Sequence, residues 1–248
     1  MAAARTLVAG TLTGIAVLLG LPFLLLWTWI TGNPDFMYRV SMNFCRFAIR
    51  LLGIRVRIEG AAHIPPGACI FASNHASNLD GAILMPAVPR RISLLAKREL
   101  FRIPVFGVSM RAAGFIPVDR AGRKAAAGMA AAVSSLRGGL SLLIFPEGTR
   151  SVDGRLQSFK RGAFALGIES GVPVAPIAIA GTYQRLPRGA WIIRPGEVVV
   201  RFCPAVDASE YTTKQREELL ARIEQLVAAA LPPDQRPAQQ AAAASTTP

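Results

Sequence analysis

Only two histidines, His63 and His75, and three widely separated cysteines, Cys45, Cys69 and Cys203, occur in the 248 residues. Isolated and odd in number, the cysteines provide neither a disulfide framework nor a Cys-x-x-Cys metal site, and they read as small apolar residues in a reducing compartment. Acidic residues are also scarce, with 15 Asp and Glu against 28 Lys and Arg and a formal net charge of +13. Such an excess implies an anionic partner, and nucleic acid, anionic lipid headgroups and phosphorylated acyl carriers all have the right sign. With no zinc spacing, no RNP-type aromatic motif and no long Lys/Arg-rich run, the sequence argues against nucleic acid. Gly-x-Ser-x-Gly is missing, so there is no nucleophile elbow, and no internal repeat occurs.

Apolar residues, by contrast, are plentiful. A hydrophobic content of 52% and a mean hydropathy of +0.37 favour a membrane as the partner. From Leu7 to Ile30 there is no charged residue, and a helix of that length extends about 36 Å, against a hydrocarbon core of about 30 Å. A cleaved signal peptide is disfavoured by the single leading Arg5, by an apolar stretch too long for an h-region, and by Thr31-Gly32-Asn33-Pro34 where small residues are needed. Pro22 and Gly10, Gly14 and Gly20 can bend such a helix, which leaves burial in one leaflet open beside spanning. Next, Phe36 to Leu52 is amphipathic. Arg39, Asn43, Arg46 and Arg50 recur along one side, with Val40, Phe44, Phe47 and Leu51 on the other. That pattern suits a helix in the headgroup layer over anionic lipid, or else a soluble helix covering a core.

The rest alternates strand and helix signals. Strands are predicted at 54–58, 68–73, 92–96, 114–118, 140–145, 174–180 and 198–202, and helices at 81–88, 105–112, 123–136 and 162–170, before a long helix ending at Leu231. The closing helix opens on Thr212 with Gln215 three residues on, a capping box, and presents Leu219, Leu220, Ile223, Leu226 and Val227 to a core. The expected fold is α/β, a mostly parallel sheet with helices on both faces, preceded by a membrane-associated two-helix segment. Three regions follow: 1–53 membrane-associated, 54–231 the α/β domain, and 232–248 a tail with too little apolar bulk to order itself.

Within the α/β region the stretch Ser73-Asn74-His75-Ala76-Ser77-Asn78-Leu79-Asp80 carries the clearest chemistry. Histidine is the side chain whose unperturbed pKa suits proton transfer near neutrality. On one continuous helix His75 and Asp80 would lie about 140° apart, so a bend must bring them together. Ser77-x-x-Asp80 ahead of an apolar run reads as a capping box. That geometry puts His75 just before a helix and Asp80 in its first turn, an oriented base without its own nucleophile. Taken alone, His-x4-Asp reads more readily as a helix cap beside an ordinary turn histidine, because so short a pattern recurs by chance.

Downstream, an apolar run ends in Phe145-Pro146-Glu147-Gly148-Thr149-Arg150-Ser151. Asn-His-x4-Asp followed by Phe-Pro-Glu-Gly-Thr-Arg resembles the glycerolipid acyltransferase family, in particular its bacterial 1-acylglycerol-3-phosphate acyltransferases. Two further blocks match in order, Gly114 to Arg120 and Val172 to Pro176, so that the resemblance covers about residues 55 to 205. It implies a fatty acyl transfer from acyl-CoA or acyl-carrier protein to the 2-hydroxyl of lysophosphatidic acid, on an anionic membrane surface at the cytoplasmic face of a bacterial inner membrane. No cofactor and no metal are expected.

Such a transfer needs a base, stabilisation of an oxyanion and a grip on the acceptor, and the thioester is already activated. His75 is the expected base and Asp80 the residue that holds its tautomer, with the substrate hydroxyl in the place a serine takes in a protease triad. A covalent route through Ser73, Ser77 or Cys69 is the rival. The resemblance assigns Glu147, Gly148, Thr149 and Arg150 to the glycerol phosphate, together with Arg120. Lys97 and Lys160 are further candidates, each equally readable as a solvated surface charge. His63 reads as a loop residue, and Pro173 and Pro176 as shaping a strand edge or a substrate-facing loop. Ala175 stands where the family often has a bulkier residue, which bears on acyl-chain preference. The alternatives are another lysolipid acceptor, such as a lyso-ornithine lipid, and a non-enzymatic lipid-binding scaffold.

Overall fold

The computed structural model describes residues 1–103, 106–119 and 123–237. Of the expected tail, 232–248, residues 238–248 lie outside them, as does Arg120. The first residues of that tail are ordered, with Pro233–Gln235 in a 3-10 turn, Gln235 buried and its carbonyl accepting the Leu156 amide at 2.9 Å.

Seven strands form one sheet: β1 (Ile54–Glu59), β2 (Ile70–Ser73), β3 (Ile92–Lys97), β4 (Ile116–Val118), β5 (Ser141–Ile144), β6 (Val174–Ala180) and β7 (Gly196–Phe202). Their spatial order is β1-β7-β6-β2-β5-β3-β4. The five strands β2 to β6 run parallel to one another, and so do β1 and β7, but β6 and β7 are antiparallel. A parallel return needs a full crossover connection. Between β6 and β7 there is only the four-residue helix α7 (Thr182–Arg185) and a loop, so the chain comes back antiparallel; this short helix left no mark in the hydrophobic pattern.

The helices are α1 (Ala2–Thr31), α2 (Asp35–Leu51), α3 (Leu79–Ala87), α4 (Phe106–Ala112), α5 (Arg123–Arg137), α6 (Gly162–Ser170) and α8 (Arg216–Ala230) beside α7. Alternation along the strands serves two cores. On β2, Phe71 joins Tyr38 and Ile49 of α2 and Ile83 and Leu84 of α3 on one face of the sheet. Its neighbours Ile70 and Ala72 join Leu136 of α5, Phe164 of α6 and Leu219, Ile223 and Val227 of α8 on the other. Side chains of successive strand residues point to opposite faces, and a sheet covered on both sides therefore reads as a continuous apolar run. The expected capping box, Thr212 with Gln215, is present and leads through one 3-10 turn into α8.

At the other end of the chain, α1 is one unbroken helix through Pro22, long and apolar enough to cross a membrane by length and composition. Gly32 ends it in the left-handed region at φ 65°, a conformation that favours glycine, and the chain doubles back into α2. Here the pattern was simpler than the packing. Tyr38 and Ile49 face the core, and the Tyr38 hydroxyl accepts the Ile92 amide at 3.2 Å. Arg39, Arg46 and Arg50 are exposed as expected, with Arg46 also donating to the Pro86 carbonyl at 2.6 Å. Phe36 and Phe47 remain exposed, Phe36 with its ring centroid 5.5 Å from that of Trp27 on α1, and α2 lies between α1 and α3 with two packed faces instead of one.

Candidate active site

Because β2 to β6 are parallel, their C-terminal ends share one edge of the sheet. Ser73, Lys97, Val118, Ile144 and Ala180 are the last residues there. Loops beyond such ends are where α/β sheets gather ligands, and both sequence motifs begin at this edge.

The turn after β2 has the geometry foreseen for the dyad. His75 Nδ1 lies 2.8 Å from Asp80 Oδ2. The same oxygen accepts the amides of Ala76 and Ser77, each at 2.8 Å, so three N–H groups converge on it from a turn wrapped around the carboxylate. A carboxylate oxygen here accepts, which puts the imidazole proton on Nδ1 and leaves the Nε2 lone pair free. Nε2 has no hydrogen-bond partner among the described residues, and the His75 side chain is 22% exposed while Asp80 is fully buried.

The expected capping box is only half made. Asp80 reaches back to the Ser77 amide, but α3 starts at Leu79 with Asn78 as a cap whose side chain makes no bond to it. Ser77 Oγ is committed elsewhere, accepting the Leu79 amide at 3.2 Å and donating to the Leu186 carbonyl at 2.8 Å. Ser73 Oγ donates to the Asn74 carbonyl. Both hydroxyls are buried, and burial raises the Cys69 thiol above its ordinary pKa, an arrangement that favours none of the three as a nucleophile.

The second motif arches over the first. β5 pairs with β2, so the loop from Phe145 to Ser151 starts beside His75. Glu147 Oε1 accepts the His75 amide at 2.9 Å, and the Ser151 amide donates to the His75 carbonyl at 2.8 Å, bracketing that residue's backbone on both sides. Phe145 stacks on the imidazole, with ring centroids 4.1 Å apart and planes 19° from parallel. Sequence reasoning gave Phe145 no role, although it sits inside the motif. Asn74 was missed likewise: its side-chain amide pairs with both the N–H and the C=O of Ile179 at 2.8 and 2.9 Å, tying the turn to β6.

Glu147 differs from its expected place among the acceptor ligands. It is buried, and its carboxyl faces the His75 backbone instead of the cleft. Burial pushes its pKa up to about 8, opposed by the His75 N–H and assisted by the nearby Asp80 charge. The neighbouring motif residues lie nearer solvent. Thr149 and Arg150 are half-buried, and neither Arg150 nor the exposed Lys160 has an ion-pair partner among the described residues. Gly148 sits at φ 71° under Lys160, whose Nζ would be 2.7 Å from an added Cβ, so the glycine lets the lysine fold down over the loop. Lys97 is exposed at the end of β3, and beside it Arg98 is bound to Asp119 at 2.5 Å. His63 is far from this edge in the fold, with Nδ1 2.9 Å from the Phe202 carbonyl at the end of β7.

Comparison with known proteins identifies the family. The family model described as Acyltransferase matches residues 55–180. A 1-acyl-sn-glycerol-3-phosphate acyltransferase of Pseudomonas aeruginosa is 36% identical over 192 residues, 75% of this chain and 74% of the relative. One from Limnanthes alba is 34% identical over 191 residues, 76% of this chain and 68% of the relative. Among solved structures, the 1-acyl-sn-glycerophosphate acyltransferase PlsC of Thermotoga maritima superposes with a TM-score of 0.79 at 26% identity, covering 92% of this chain and 94% of that one. The family model over residues 55–180 and relatives of this identity and coverage show that the chain belongs to the Acyltransferase family.

Proposed function

We propose that the chain transfers a fatty acyl group from the thioester of acyl-CoA or acyl-carrier protein to the 2-hydroxyl of 1-acyl-sn-glycerol 3-phosphate, giving phosphatidic acid. The observation that carries this reading is the His75 to Asp80 hydrogen bond of 2.8 Å with Nε2 left open. The acceptor hydroxyl gives its proton to Nε2 as its oxygen attacks the thioester carbonyl. The tetrahedral intermediate collapses, the C–S bond breaks, and the imidazolium returns the proton to the departing thiolate. Each proton is accounted for without a nucleophile from the protein. Arg150, Thr149 and Lys160 receive the acceptor phosphate, with Lys97 and Arg120 as further candidates, and Arg is the residue suited to a bidentate phosphate contact. Asp80 and Glu147 hold His75 in place.

The membrane reading draws on α1, whose most apolar stretch is only 6% buried. It packs along α2 and against α4, and Thr6 near its start bonds to Ile193. Thr6 and Trp27 are about 32 Å apart along the helix axis. Trp27 meets Phe36 of α2, with ring centroids 5.5 Å apart, so α1 is in contact with the rest of the chain near both ends, with Arg39, Arg46 and Arg50 on the neighbouring α2, which favours a helix lying in one leaflet over one that spans. We place the enzyme at the cytoplasmic face of a bacterial inner membrane.

The test is thiol release by the purified protein with each donor and a panel of lysolipids. Release that depends on lysophosphatidic acid supports the assignment. Preference for a lyso-ornithine lipid would change the acceptor, and no release with any lysolipid would remove the enzymatic reading. Intact mass after mixing with acyl-CoA alone should show no acyl adduct.

A further inference from the structure

We infer that the loop from Pro187 to Pro195 is a second membrane-inserting element, which seats Trp191 and Ile192 in the same leaflet as α1 and holds the His75 turn at the lipid surface. This rests on the reading of α1 as lipid-embedded. The loop follows α7 and reads Pro-Arg-Gly-Ala-Trp-Ile-Ile-Arg-Pro, two arginines and no acid. Trp191 is 90% exposed and Ile192 50% exposed. Only three tryptophans occur in the chain, and the other two, Trp27 and Trp29, are exposed at the C-terminal end of α1.

Such exposure would mean little on a loose loop, but both stems of this one are fixed. Arg194 donates its amide to the Arg185 carbonyl at 2.8 Å, and Arg185 Nη1 donates to the Pro195 carbonyl at 2.6 Å. At the tip, the Ile193 amide donates to Thr6 Oγ1 at 3.0 Å, so the loop is fastened directly to the first turns of α1. The apolar surface of α1 therefore continues onto Ile192 and Trp191. Tryptophan favours the boundary between headgroups and acyl chains, and exposed Arg188 and Arg194 flank the pair at the level where anionic headgroups lie. The same loop begins one residue after Leu186, whose carbonyl accepts Ser77 Oγ at 2.8 Å. A rigid path thus runs from the inserted side chains to the turn that carries His75.

The experiment uses three variants of the full chain, each keeping one tryptophan with the other two changed to Phe, bound to vesicles containing anionic phospholipid and shallow brominated lipid. Trp191 emission should shift to the blue and be quenched alongside Trp29. Quenching of Trp27 and Trp29 with Trp191 left at its aqueous emission would overturn the loop and leave the α1 reading standing; no quenching at any position would overturn both. In a second arm, Trp191→Ser with Ile192→Ser should weaken vesicle partitioning by about tenfold. Activity should fall comparably on vesicle-borne acceptor and stay unchanged on a short-chain lysophosphatidic acid in free solution. An equal loss on the short-chain substrate would put these residues in the substrate site and overturn the proposal.

Discussion

The phenyl ring of Phe145 and the imidazole of His75 lie one on the other, 4.1 Å apart between centroids, on loops from two neighbouring strands. Asp80 fixes the edge of the imidazole and Phe145 fixes its plane. An aromatic pair of this kind contributes about 0.5 to 1.5 kcal/mol, or up to about tenfold in rate if all of it goes to orientation. Phe145→Leu should therefore lower kcat by about three- to tenfold with little change in KM, and Phe145→Tyr should recover most of it. A rise in KM with kcat preserved would make Phe145 a substrate contact.

The proposed base, His75, is worth more. His75→Ala should cut turnover by about 10² to 10⁴-fold in a protein that still folds and binds membrane, because only proton transfer is lost. Asp80→Asn is expected to lose at least about 10²-fold and also some stability, about 1 to 3 kcal/mol, since a neutral amide oxygen accepts the three N–H groups more weakly than the carboxylate does. Circular dichroism and steady-state rates on one preparation separate the two effects. Full activity in a folded His75→Ala protein would end the proposed mechanism.

Glu147 makes a pH prediction. Its folded pKa of about 8 lies well above that of an unfolded glutamate, so between about 4.5 and 8 the native state holds a proton that the unfolded state has released. Stability from this group is present below the unfolded value and is lost as pH rises toward 8, at up to about 1.4 kcal/mol per unit. Glu147→Gln keeps an acceptor for the His75 amide and removes the ionisation. Thermal unfolding followed from pH 5 to 9 should show the variant gaining on the wild type up to about pH 8 and then running parallel. A constant difference would mean that Glu147 is already ionised in the native protein.

Arg150 tests the grip on phosphate. A charge-assisted pair there is worth roughly 1.5 to 3 kcal/mol, about ten- to a hundredfold in binding. Arg150→Ala should raise KM for 1-acylglycerol 3-phosphate by that order and leave weak activity on an unphosphorylated monoacylglycerol nearly unchanged. Arg150→Lys should restore part of the loss, since a point charge lacks the planar fork. Equal losses on both acceptors would move the phosphate to Lys160, Lys97 or Arg120.

What could be read beforehand follows a physical divide. The strands and the cores on either side of them were legible because burial imposes apolar residues at a fixed period, as at Ile70 to Ser73 and Val174 to Ala180. The direction of β7 was not, since an antiparallel neighbour and a parallel one demand the same residues at Val198 and Val200. His75 with Asp80 was legible because the contact is local and the turn is set by five residues. The inward turn of Glu147 depends on the pairing of β5 with β2, a contact across 72 positions that leaves no local trace. For α2 the difficulty was of another kind, because two packed faces and a basic one exceed what a two-sided helical pattern can express.

The pairing of β1 with β7 sets a timetable. Among the described strands β1 has only β7 as a neighbour, and Ile54 meets Gly196 in register. At ordinary synthesis rates that partner leaves the ribosome about 7 to 30 s after β1 does. During this interval α1 and α2 are already out, and the Tyr38 and Ile49 side of α2 has no finished core to cover. A lipid surface is the one apolar phase available to α1 at that stage. On the proposed membrane reading the chain is therefore expected to be tethered to lipid before its sheet closes, so that the last act of folding, the docking of β7 between β1 and β6, takes place on the bilayer.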